Sequence, residues 1–331
     1  MSDEAKPMPS MRDLAEALGI SVATISRALR DDPSVQEATR IRVKKEAEAR
    51  GYRRNALVGN FMASIRNSTA SHFRGNLALL WGKQPNLADK RLSQIKAGVQ
   101  RRAAELGYSI DDFDLATSRP ESLERILFAR GISGVVVAVP SFARGKVYLR
   151  LNFSKFCAVS VGWGLFRPLL DTVRFDYFQA VRLALHSAHR NFGGRIAAVW
   201  DEKTDLRSHR AAQASFVIHH PDGPGKAHKL FVSRDGLTPT LLRRHRIECL
   251  LVAAGISLPA WIHEEIPPEK IVLFEHPGER KCFGWVDTQN SLLGQWGIEL
   301  LAGKISRHES GVPESCKVVL VPPKWRKASD K

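Results

Sequence analysis

The stretch Met11 to Arg30, MRDLAEALGISVATISRALR, constrains this chain more than any other, because its apolar residues are spaced for two short helices crossing at a tight turn. Met11, Leu14, Ala15 and Leu18 fall at i, i+3, i+4 and i+7, which lays one apolar stripe along a first helix. Ser10 can cap that helix, with Asp13 three residues on. Gly19 can take the positive φ that the turn requires, Ser21 caps a second helix, and Ile25, Ala28 and Leu29 form that helix's inward face. The pattern is a helix-turn-helix. Its outward residues suit a DNA groove. Val22 and Ala23 can meet thymine methyls, and Arg27 can bond guanine O6 and N7. Ser21, Thr24, Ser26 and Arg30 are expected on phosphates.

After the Asp31-Asp32-Pro33 break, a third helix is expected from a cap at Ser34 to Arg50. Gly51 closes it, and Thr39, Val43 and Ala47 recur every four residues on one side. The other side carries Arg40, Arg42, Lys44 and Lys45. From Arg50 to Arg74 there are five arginines and no acid. An acid-free run directly after a DNA-reading motif points to a second DNA contact. The formal charge of +16 over 331 residues favours a polyanionic partner, although most of the excess lies after residue 74.

The segments ISVATISRAL and GYRRNALVGNFM resemble the headpiece and hinge of the lactose-repressor/galactose-repressor (LacI/GalR) family of bacterial transcription regulators. The resemblance implies a sequence-specific repressor that holds a palindromic operator in double-stranded DNA as a homodimer. It also implies a short hinge helix from Asn55 that folds when two subunits sit on the operator. By position, Val58 lines the central minor groove and Phe61 stands where the family has a leucine wedge. Apolar wedges between base steps kink DNA. Arg54 replaces the proline that commonly precedes the asparagine, and Gly59 inside the hinge helix costs roughly 1 kcal/mol relative to alanine. Both fit a hinge that folds only on DNA.

Beyond Arg74, short apolar strands alternate with amphipathic helices. Strands are predicted at Asn76 to Trp81, Tyr108 to Leu115, Gly134 to Val139, Ala158 to Val161, Ile196 to Trp200, Lys229 to Val232, Cys249 to Ala253 and Ile271 to Phe274. Helices are predicted at Ser93 to Leu106, Glu121 to Ala129, Tyr177 to Asn191, Ser208 to Ile218, before Arg246, near Pro259 to Glu264, and at Leu292 to Leu301. Such alternation builds an α/β domain of parallel sheets covered by helices on both faces. Three segments follow: a helix-turn-helix headpiece over 8–54, a hinge helix and linker over 55–74, and an effector-binding and dimerisation domain over 75–331.

The resemblance continues through LGY at 106 to 108, ARGISGVVVAVP, GGRIAAVW and LLGQWGIELLAGKI. It implies two lobes like those of periplasmic sugar-binding proteins, with crossovers near Val173, Gln289 and Pro322. A small effector, a carbohydrate in this reading, sits between the lobes and changes their angle. By position Arg210, in SHRAAQASF, and Glu275, in IVLFEHP, would hold it, with Asp287 in GWVDTQN as a second acidic option. A guanidinium suits vicinal hydroxyls or a carboxylate. Gln213 departs from the family's glycine. Trp81 and Trp163 follow apolar strands and can stack on a sugar ring, or pack into the core or a dimer contact.

Other classes are disfavoured. No HExxH, paired CxxC or His-carboxylate set suggests a metal, and no G-x-S-x-G elbow or Walker loop suggests catalysis or a cofactor. Cys157, Cys249, Cys282 and Cys316 are scattered, as in a reduced cytoplasmic protein. There is no membrane span, and the polar N-terminus MSDEAKPMPS is no secretory signal. A cytoplasmic, nucleoid-associated non-enzyme is expected. Two alternatives stay open: a lobed solute-sensing protein that does not use DNA, and a regulator whose degenerate cleft has no small-molecule effector.

Overall fold

The computed structural model divides into two compact units, Met1–Thr69 and Ala70–Lys331. It describes residues 11–29, 32–50, 73–82, 90–117, 120–139, 147–276, 278 and 281–328.

In the first unit α1 (Met11–Leu18), α2 (Val22–Ala28) and α3 (Glu37–Ala49) enclose a small core. Leu14, Ile25, Ala28 and Val43 are fully buried there, joined by Ala15, Val35 and Ala47. Gly19 has φ +66° in the turn, and Ser21 Oγ accepts from Thr24 N at 3.1 Å. One capping expectation is corrected. Ser34 does not start α3, because its N–H and hydroxyl both donate to Asp32 Oδ1 at 2.9 and 2.7 Å. That local turn around Pro33 delays the helix to Glu37, with Gln36 at its cap making no side-chain capping bond.

The second unit holds two six-stranded sheets. The first is built from β1 (Gly75–Trp81), β2 (Tyr108–Asp114), β3 (Ile132–Ala138), β5 (Cys157–Val161), β7 (Asp171–Phe175) and β13 (Val318–Val321), in the order β13-β7-β5-β3-β1-β2. All its pairings are parallel. The second is built from β8 (Ile196–Val199), β9 (Phe231–Val232), β10 (Cys249–Val252), β11 (Ile271–Leu273), β12 (Gly284–Asp287) and β14 (Lys324–Lys327), in the order β14-β12-β11-β10-β8-β9. Only its edge strand β14 runs antiparallel. A two-stranded parallel ribbon joins β4 (Val147–Tyr148) to β6 (Leu165–Arg167). The central strands GVVVA, CAVSV and CLLV are buried on both faces, as helix-covered parallel sheets require.

The chain crosses between the sheets three times. It leaves β7 for α6 (Tyr177–Phe192) at Asp176, leaves β12 for α12 (Asn290–Ser306) at Thr288-Gln289, and leaves β13 for β14 at Pro322-Pro323. The first crossing therefore falls three residues beyond Val173, which is buried in mid-strand.

Two helices make an unusually close pair. α4 (Lys90–Glu105) and α12 meet where Gly98 and Gly294 face the partner backbone: a Cβ on Gly98 would collide with the carbonyl of Ser291, and one on Gly294 with that of Ile95. Side chains bolt the pair at its edges, with Asn290 Nδ2 donating to Gln94 Oε1 at 2.9 Å and Arg101 Nη2 to Ser291 Oγ at 2.8 Å. Arg102 is paired with Glu299 one face further round.

Several predicted boundaries move. The helix predicted at Ser208 to Ile218 is broken into α7 (Glu202–Arg207) and α8 (Ala211–His219), with His209 and Arg210 between them at φ +56° and +58°. Lys229 and Leu230 end helix α9 (Pro224–Leu230), which leaves β9 two residues long. α10 (Pro239–Arg244) and the single turn α11 (Ile262–Glu265) lie where expected, and α5 (Pro120–Ala129) begins one residue early. Strands β4, β6, β7, β12, β13 and β14 were not predicted; β13, VVLV, is apolar but lies half-exposed at a sheet edge, and the others lack the long apolar runs of the sheet centres.

Candidate nucleic-acid interface and ligand cleft

Helix α2 is amphipathic in the sense a reading helix needs. Ile25 and Ala28 are sealed in the headpiece core, while Ser21, Val22, Ala23 and Arg27 are exposed and Thr24 and Ser26 half-buried. The Ser21 and Thr24 hydroxyls lie 2.9 Å apart, so the cap is a small paired donor–acceptor unit at the start of the helix. Arg42, on the basic side of α3, donates Nη2 to the carbonyl of Leu18 at 2.6 Å and so closes the C-terminal end of α1. Arg30, Asn55, Val58 and Phe61 lie outside the described residues.

In the second unit the carboxyl ends of the strands of both sheets face one crevice, the usual place for a ligand in open α/β sheets. Arg91, Ile95, Gly162, Trp163, Phe175, Asn290 and Leu293 line it from the first lobe, and Tyr177, Trp200, Ala253, Ala254, Phe274 and Thr288 from the second and the crossings. Aromatic rings dominate. Phe175 meets Tyr177 edge-on at 5.1 Å, Tyr177 meets Trp200 at 6.5 Å, and Trp200 meets Phe274 at 4.7 Å between ring centres. Trp163 is pinned in place: its Nε1 donates to the carbonyl of Phe175 at 3.1 Å, and the Arg174 guanidinium sits 4.4 Å over its ring. Trp200 is buried, and its indole N–H has no partner. The enclosed free space is about 50 Å³. That is room for a few waters.

Of the five residues predicted for the effector, Trp163 lines the cleft, Glu275 and Asp287 stand next to lining residues, and Arg210 and Trp81 are not part of the lining. Arg210 is not early in a helix but precedes α8 in left-handed backbone, and its Nη1 donates to Gln213 Oε1 at 2.9 Å. The cause is Asp205, a buried carboxylate whose Oδ1 accepts the backbone N–H of Gln213 at 3.2 Å and which turns the chain tightly before α8. Burial pushes the Asp205 carboxyl above its ordinary pKa, opposed by the backbone N–H groups of Gln213 and Ala212 and by Arg210. Glu275 accepts from Gly255 N at 3.2 Å beside the cleft wall. Asp287 accepts from Gln289 N at 2.9 Å and so shapes the second crossing. Trp81 closes β1 with the Lys96 ammonium 4.1 Å over its ring. Tyr177, Trp200, Phe274 and Arg91 were missed. A usable signal was present for three of them, since each aromatic residue stands at or just beyond the carboxyl end of a strand.

The chain thus combines a helix-turn-helix unit with a cleft-bearing unit of two parallel-sheet lobes. Residues 10–55 match the family model for bacterial regulatory proteins of the lacI family. The HTH-type transcriptional regulator GalR of Lacticaseibacillus casei is 27% identical over 181 residues, which cover 53% of this chain and 51% of that protein. The HTH-type transcriptional repressor CytR of Escherichia coli K12 is 33% identical over 101 residues, 30% of this chain and 26% of that protein. The chain thus spans about half the length, or less, of the curated relatives it matches. Two solved structures share its fold across 97% of its length: the lac repressor dimer bound to operator and the anti-inducer ONPF (98% of that chain, TM-score 0.51, 17% identity) and the lac repressor bound to ONPG in the repressed state (99%, 0.56, 16%). By sequence the headpiece, residues 10–55, is thus similar to lacI-family regulatory proteins, and by fold the chain is similar to the lac repressor.

Proposed function

We propose that the protein is a sequence-specific, DNA-binding transcriptional repressor that grips a palindromic operator as a homodimer and changes its grip when a carbohydrate enters the cleft. One observation carries the reading: α2 buries Ile25 and Ala28 while presenting Ser21, Val22, Ala23 and Arg27 to solvent, the division that a major-groove helix requires. Residues 8–54 read DNA, 55–74 form the hinge, with Asn55, Val58 and Phe61 at the central minor groove, and 75–331 bind effector and pair the subunits. The protein acts without catalysis, on cytoplasmic DNA; no described helix is long and apolar enough to cross a membrane.

In this reading Arg27 contacts a base, and Ser21, Thr24, Ser26 and Arg30 contact phosphates. Selection of bound sequences from random duplex DNA by the full chain should return a two-fold symmetric site. Arg27→Ala should then cost roughly 1 to 3 kcal/mol on that site and relax preference at one position of each half. An equal loss on every sequence would move Arg27 to the phosphates, and recovery of no common sequence would remove the reading itself. A second reading, a regulator with no small ligand, is favoured by the narrowness of the cleft, since ordinary ligand pockets hold about 300 to 1,000 Å³.

A further inference from the structure

The polar character of the cleft is one-sided. Three carboxylates stand close to its walls, and each is turned onto a backbone N–H: Asp176 onto Gln179 at 3.0 Å, Glu275 onto Gly255 at 3.2 Å, and Asp287 onto Gln289 at 2.9 Å. Among the described residues no acidic side chain lines the cleft, and the one charged side chain that does is Arg91. Helix α12, 17 residues long, begins at the cleft with Asn290, and the side chain of its cap residue Gln289 does not cap the helix but donates Nε2 to the carbonyl of Pro322 at 2.7 Å. This differs from α6, whose cap Asp176 occupies the corresponding place. The free end of a long helix favours negative charge. An independent observation points the same way. The indole N–H of Trp200, only 2% exposed and part of the cleft wall, is a donor without an acceptor, at the usual cost of a buried unmade hydrogen bond.

We propose that the ligand of this cleft is a sugar ring carrying an anionic group, a carboxylate or a phosphate. The apolar face of the ring lies on Trp163, Tyr177 and Trp200. The anion lies toward Arg91, the start of α12 and the Trp200 N–H. This rests on the reading of the cleft as an effector site and narrows the effector class within it.

The test uses the full chain and a panel of hexuronic acids, aldonic acids, hexose phosphates and pentose phosphates, each set against its neutral parent sugar. Binding is read by thermal shift and titration calorimetry. The expected result is that only anion-bearing compounds raise the unfolding midpoint. Arg91→Gln should weaken the best of them roughly tenfold or more, the usual worth of a charge-assisted hydrogen bond, and Trp200→Phe, which keeps the ring and removes the N–H, should weaken it several-fold. The ligand-free melting of both variants, and their retention of operator binding, shows that they fold. The acid and phosphate arms tell the two anions apart. A neutral sugar that binds as tightly as its charged counterpart, an unchanged affinity in Arg91→Gln, or silence across all anionic members overturns the assignment. The repressor reading fails separately: an anionic ligand that binds without altering operator affinity would remove ligand control of DNA binding and leave the anion site standing.

Discussion

His220 shows how a single buried side chain ties this fold to pH. Its Nδ1 accepts the backbone N–H of Asp222 at 3.1 Å, so Nε2 must carry the proton that it donates to the carbonyl of Ile196 at 3.0 Å. Burial holds the imidazole below its ordinary value of 6.5, and the charged form would also set a second N–H against the Asp222 donor. A depressed folded-state pKa gives stability that is complete above the unfolded value and drains away as pH falls through the folded one. Urea melts of the second unit should therefore weaken as pH drops from about 7 to 5. His220→Gln can still donate to Ile196 and should flatten that dependence; an undiminished slope would assign it to other groups. Asp205 has the opposite sense, because burial raises its pKa and its contribution fades as pH rises.

At the scale of elements, the α4–α12 pair is the joint on which the cleft depends. The two helices touch backbone to backbone at Gly98 and Gly294, and their first two turns supply Arg91, Ile95, Asn290 and Leu293 to the cleft. Gly98→Ala has no space for its methyl, so the helices must part or tilt. A loss of roughly 1 to 3 kcal/mol or more is expected from overpacking, read as a lower midpoint in denaturant melts. Ligand affinity should fall with it; a variant as stable as the parent would show that the contact is slack. Much at this scale was legible in the sequence. The helix-turn-helix follows from Leu14, Gly19, Ser21 and Ile25 alone, and the strand–helix alternation gave four strands of each sheet, because buried parallel strands are continuous apolar runs. Edge strands such as KWRK carry no such run. The break between α7 and α8 was invisible because it depends on Asp205 reaching Gln213 eight residues away. Trp200 and Phe274 follow apolar strands and so read as core residues; their place at the carboxyl ends of β8 and β11 was the signal that they wall a cleft.

At the scale of the molecule, one buried ion pair gathers all three crossings. Lys304 Nζ lies 2.9 Å from Asp171 Oδ2 with both side chains almost fully buried, and Asp171 Oδ1 accepts the N–H of Lys317 at 2.7 Å. Asp171 opens β7, which leads to the first crossing. Lys304 is in α12, which follows the second, and Lys317 precedes β13, which leads to the third. Lys304→Met should cost about 3 to 5 kcal/mol, because it leaves the Asp171 charge buried and unpaired. A double variant with Asp171→Leu should recover part of that loss in the same denaturant melts. A single variant with unchanged stability would show that the pair merely balances its own desolvation.

The narrow aromatic cleft also gives the protein an optical property. Two of its seven tryptophans, Trp163 and Trp200, stand in the cleft wall, and the Trp200 indole is buried. Its emission should lie toward the blue, and anything that wedges the rings apart or reaches its N–H should move that emission to longer wavelength. Occupancy of the cleft can thus be followed by intrinsic fluorescence, without a label, in the same cuvette as the operator.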